Sequence, residues 1–138
     1  MGEHADAAAA LKGIALIEAS TRGRSRWYTG YLWLFAAWQL VVVPSVLLWR
    51  GPTGTVVSTL ANALVVVGLS VFATRQPVVP RGHARLHLQV IGAWTLAYLS
   101  VLALGLTLFV GSVPFAVVAA LVCALPAAYA ARREARTA

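Results

Sequence analysis

The chain has 138 residues, of which 60% are hydrophobic and only 11% charged. A soluble domain carries about 25% charged residues and less than half apolar ones. A disordered chain, a disulfide scaffold and an ordinary soluble enzyme are therefore excluded. The net charge of +7 sets 11 basic residues against four acids, Glu3, Asp6, Glu18 and Glu134. In a soluble protein that balance would suggest nucleic acid. Here the arginines flank apolar blocks, where membrane proteins keep them, so no nucleic-acid partner is expected. Ten arginines to a single lysine, amid abundant Ala, Val and Leu, point to a GC-rich bacterial genome.

Residues 1–26 read as a cytoplasmic N-terminal segment. Within it, residues 5–20 are rich in Ala and Leu, and Leu11, Ile14 and Ile17 recur at spacing three. This predicts a short amphipathic helix that lies on the inner leaflet or docks a partner. The alternative is a cytoplasmic extension packed on the bundle. Arg22, Arg24 and Arg26 close the segment. It lacks the basic start and apolar run of a cleaved leader, and Asp6 stands where a myristoylation signal wants Ser or Thr.

A spanning helix needs about 20 mostly apolar residues. Four blocks qualify, near 31–49, 55–73, 88–110 and 113–131, within a transmembrane domain of residues 27–131. A basic tail, 132–138, follows. Gly51-Pro52-Thr53-Gly54 reads as a tight turn. Two prolines in Gln76-Pro77-Val78-Val79-Pro80 stop a helix by removing donors. Gly111-Ser112 reads as a two-residue turn, with Pro114 in the first turn of the last helix.

The arginines set the orientation. Lys12, Arg22, Arg24 and Arg26 precede span one. Arg75, Arg81 and Arg85 lie between spans two and three, and Arg132, Arg133 and Arg136 follow span four. Arg50 stands alone on the other side. The expectation is an all-α, four-span antiparallel bundle in the inner (plasma) membrane, with both termini cytoplasmic. Its expected partners are the bilayer, anionic headgroups facing those arginines, and a protein partner or a second copy.

Span four carries Ala116, Ala120, Ala124 and Ala128, with a second small row of Ala119, Cys123, Ala127 and Ala131. Small ridges let membrane helices approach closely. Span three, joined by a short turn, is the expected neighbour, through Ala93, Leu96, Ser100, Ala103 and Thr107. A homodimer through the same ridges is the alternative.

No ionisable residue lies within the spans, which argues against a proton relay. In length and span number the chain resembles the small multidrug resistance transporters, but their first-span glutamate has no counterpart here beyond Gln39. It also matches four-span fluoride channels in size, without their phenylalanine-threonine signature in span three. The neutral polar groups remain. Gln39 and Tyr98 lie about 12 and 15 Å from the inner ends of their helices, and Asn62 about 10 Å from the outer end. Gln39, Asn62, Trp94, Tyr98 and Ser100 form a candidate pocket for a lipophilic cation or lipid-like ligand. The alternative is interhelical hydrogen bonding, at about 0.6 kcal/mol per contact.

His83 and His87 are too few to hold a metal, so neither a metal nor any other cofactor is expected. Beside Arg81 and Arg85 they are expected to face lipid phosphates or a cytoplasmic partner. No catalytic constellation is present. A non-catalytic accessory or regulatory component ranks first, a small oligomeric transporter or binder second, and a membrane-embedded enzyme last.

Overall fold

The computed structural model describes residues 2–76 and 82–137, and all regular structure among them is helical. The helices are α1 (Gly2–Leu48), α2 (Pro52–Thr74), α3 (His83–Thr107) and α4 (Val113–Thr137). Arg81 and the prolines of the second break lie outside the described residues, as do the side chains of Arg22 and Arg24. Each helix contains a segment long and apolar enough to cross a membrane: Arg26–Leu48, Pro52–Thr74, His83–Thr107 and Val113–Arg136.

The short N-terminal helix expected from the sequence is not a separate element. α1 runs unbroken for 47 residues, about 70 Å at the helical rise. Nothing near residue 25 stops it. No proline intervenes, and an isolated glycine such as Gly23 costs about 1 kcal/mol without breaking the ladder. Nor is this segment packed on the bundle, since Leu11, Ile14, Leu16 and Ile17 are all more than half exposed.

The first interhelical break is shorter than the expected Gly51-Pro52-Thr53-Gly54 turn, because α2 already begins at Pro52 and takes in Thr53 and Gly54. Gly51 adopts φ 101°, which a side chain would oppose, and Pro52 opens α2. Trp49 folds over Gly54, where a Cβ would collide with its indole ring. The third break is wider than two residues. Leu108 and Phe109 both donate their backbone N–H to the Leu104 carbonyl, which closes α3 early. The chain reverses through 108–112, with Gly111 at φ 70°. The Arg50 guanidinium lies against Gly111, and Phe109 stacks on Phe115 at 4.6 Å.

α1 is the central helix. Its most extensive partner is α4, followed by α2, with a small contact to α3, while α3 packs mainly on α4. The buried positions Tyr28, Leu32, Phe35, Gln39, Val42 and Val46 alternate steps of four and three along α1. α4 answers with Ala116, Ala120, Cys123, Ala127 and Ala130 on the same rhythm. That periodicity belongs to side chains interlocking along a shallow crossing. One apolar cluster joins Tyr28, Tyr31, Leu32 and Phe35 to Ala124, Ala127, Ala130 and Ala131. The other joins Val42, Val43, Val46 and Leu47 to Ala116, Ala119, Ala120 and Cys123.

One packing expectation is thereby corrected. The small ridges of α4 serve α1 more than α3, because the bulky side chains of α1 fill the space that alanines leave. The small stripe of α3 (Ala93, Leu96, Ser100, Ala103 and Thr107) faces outward. Its inward face is Val90, Trp94, Ala97, Tyr98, Val101 and Gly105, which supplies bulk where α4 offers only methyl groups.

Candidate functional site

The mid-span polar residues divide into three groups. Gln39 is completely buried between the two apolar clusters, and neither its Oε1 nor its Nε2 has a hydrogen-bond partner among the described residues. Asn62 is buried and paired: the Trp38 indole donates to its Oδ1 at 3.0 Å. Ser100 stands exposed on the outer face of α3, so it is not in the group. Trp94 and Tyr98 stack at 5.2 Å, and Phe35 meets Trp94 edge-on at 5.3 Å. Trp94 touches both apolar clusters, which places it at the level of Gln39, and its Nε1 is buried without a partner. Ser58, one turn before Asn62, is buried with an unpartnered hydroxyl.

Outward-facing hydroxyls behave differently. Ser45, Ser70 and Thr95 each donate to the carbonyl four residues earlier, at 2.7, 2.7 and 2.8 Å. A hydroxyl can satisfy itself on its own turn of helix. A carboxamide has no such escape, so Gln39 and Asn62 turn inward.

A second constellation, unread in the sequence, gathers where span one begins and α3 starts. Tyr28 contacts His83 edge-on at 4.3 Å, and its hydroxyl meets His87 Nδ1 at 3.5 Å. His83 and His87 share a helical face and stack at 5.4 Å. Trp27 closes the group against Phe72 of α2, with ring centroids 5.8 Å apart, while Glu134 of α4 lies within electrostatic reach of Tyr28. Trp27 and Tyr28 directly follow Arg22, Arg24 and Arg26 in the sequence. Only the folded chain brings the histidines to them.

Next to this group lies a cleft of about 350 Å³ lined by Gly82, Arg85, Leu86, Gln89, Arg133 and Glu134. Arg26, Arg75, Arg85, Arg132 and Arg133 are exposed. Among the described residues no cluster of three or more His, Cys, Asp or Glu side chains has metal-binding geometry. Comparison with known proteins matches no family model, no curated protein and no solved structure.

Proposed function

We propose that this chain is a non-catalytic accessory component of the inner (plasma) membrane, an antiparallel four-span bundle with both termini cytoplasmic. In this reading the first half of α1 is the arm that engages a cytoplasmic protein. The observation that carries it is the unbroken α1, none of whose described side chains before Tyr28 is buried. The spanning part of α1 is 23 residues long, about 35 Å at the helical rise and enough for the hydrocarbon layer. The residues before it extend the same rod outward. The pairing of the start of span one with the end of α4 supports the antiparallel arrangement. The ten-to-one arginine and lysine asymmetry supports the orientation.

Charge argues that the arm stands off the bilayer. Residues 2–20 carry Glu3, Asp6 and Glu18 against Lys12 alone, which an anionic leaflet repels. Arg22, Arg24 and Arg26 follow it in the sequence. The occupant that fits is a protein groove, apolar along its floor for Leu11, Ile14 and Ile17 and basic along its rim.

A photo-crosslinker at position 14 tests this in cells. A discrete adduct that disappears with Ile17→Asp supports it. In vesicles containing anionic lipid and no partner, a fluorophore at position 14 should remain accessible to an aqueous quencher. Protection of that fluorophore by lipid would mean the arm lies on the leaflet, and the proposal fails.

A second reading rests on Gln39, Ser58 and Trp94, whose buried polar atoms await partners. A small solute or water held among them would make the chain a binder or transporter. Gln39→Leu should then abolish solute binding while the protein still accumulates in the membrane.

A further inference from the structure

We propose that the cleft between the start of α3 and the end of α4 binds a phosphate group. It is lined by two arginines from different helices, Arg85 of α3 and Arg133 of α4, together with Gln89. Two guanidinium groups approaching one anion from different elements suit the several oxygens of a phosphate, which accept paired N–H donors. Gly82 lines the same cleft and precedes the first turn of α3. That turn contains no acidic residue, and no side chain caps its amides. The free N–H groups and the positive end of a 25-residue helix therefore add to the arginines rather than compete with them.

The remaining walls define what the phosphate is attached to. Leu86 gives the cleft an apolar surface, and Glu134 places one negative charge beside the two positive ones. A volume of about 350 Å³ is at the small end of ligand-sized pockets. It is large enough for a phosphate with a small attached group. The cleft also adjoins the collar formed by Trp27, Tyr28 and His83, whose ring pairs lie 5.6 and 4.3 Å apart. Amphipathic rings of this kind favour the water–lipid boundary, where lipid phosphates reside.

Native mass spectrometry of the full-length protein in a maltoside detergent tests the proposal. Two probes separate the sources: short-chain phosphatidylglycerol and inorganic phosphate, with the matching diacylglycerol as a phosphate-free control. One phosphatidylglycerol per chain, saturable and absent with diacylglycerol, is the expected result. Saturable binding of inorganic phosphate with equal affinity would also support the site and would identify a free anion as its ligand. Arg85→Gln and Arg133→Gln should each weaken binding roughly tenfold, the scale of one charge-assisted contact. Glu134→Gln should strengthen it, and Arg136→Gln, outside the cleft, should leave it unchanged. The proposal fails if no phosphate-bearing probe saturates, or if Arg136→Gln weakens binding as much as Arg85→Gln does.

Discussion

α2 and α4 have nearly the same length and their most apolar stretches have the same mean hydropathy, yet 39% of that stretch is buried in α4 against 11% in α2. In water, equal hydropathy would mean an equal drive to bury. In a bilayer it does not, because lipid tails are as apolar as leucine side chains and helix contact must come from close packing and hydrogen bonds. α4 presents an almost continuous face of methyl groups from Ala116 to Ala131, on which the large side chains of α1 settle. α2 buries only Gly54, Ser58 and Asn62, all in its first half. Shape and polarity, not hydropathy, separate the two helices.

Filling the α4 face should do the most damage. Ala127 is fully buried against the cluster of Tyr28, Leu32 and Phe35. Ala127→Leu is expected to destabilise the bundle by about 1–3 kcal/mol, the usual cost of overpacking. On α2, Leu64 is 73% exposed, and Leu64→Ala should change stability by less than about 0.5 kcal/mol. Thermal unfolding in detergent measures both. Equal losses at the two positions would break the comparison, because they would make α2 as tightly held as α4.

Gln39 should show the opposite sign. It sits in the α1–α4 seam with its carboxamide unpaired, and a buried polar group without a partner costs roughly 1–3 kcal/mol. Gln39→Met keeps the length of the side chain and removes the unpaired atoms. The bundle should gain about 1 kcal/mol in the same unfolding measurement. A loss instead would show that Gln39 has a polar partner in the folded protein, which favours the solute-binding reading over simple packing.

The four long apolar helices were legible in the sequence, because a run of about 20 apolar residues is hard to mistake for another local pattern. The first turn was legible from Gly51-Pro52, since the backbone there needs φ values and an absent donor that those residues supply. Helix neighbours were not. A row of alanines reveals how closely something can approach α4, but not that Tyr28, Leu32 and Phe35 of α1 are what approaches. Gln39 and Asn62 were placed inward correctly in kind, because a carboxamide cannot satisfy itself on its own helix. Ser100 was misplaced, because a hydroxyl can bond within its own turn and tolerate an outward face. The Tyr28–His83–His87 group depends on residues more than 50 positions apart in the chain, so no local spacing announced it.

The smallest effect sharpens the comparison most, because it concerns how α2 is held at all. The polar contact between α1 and α2 is Trp38 Nε1 donating to Asn62 Oδ1. Trp38→Phe removes the donor, and Asn62→Leu removes the acceptor and leaves no unpaired amide. A double-mutant cycle on the two should give a coupling near 0.6 kcal/mol, the average for such contacts between membrane helices. A coupling of zero would mean that this bond does not hold α2. Its attachment would then rest on Val66, Leu69 and Ala73, which pack against the cluster around Tyr28 and Phe35. Trimming those three side chains, with the polar pair left intact, would then release α2 first.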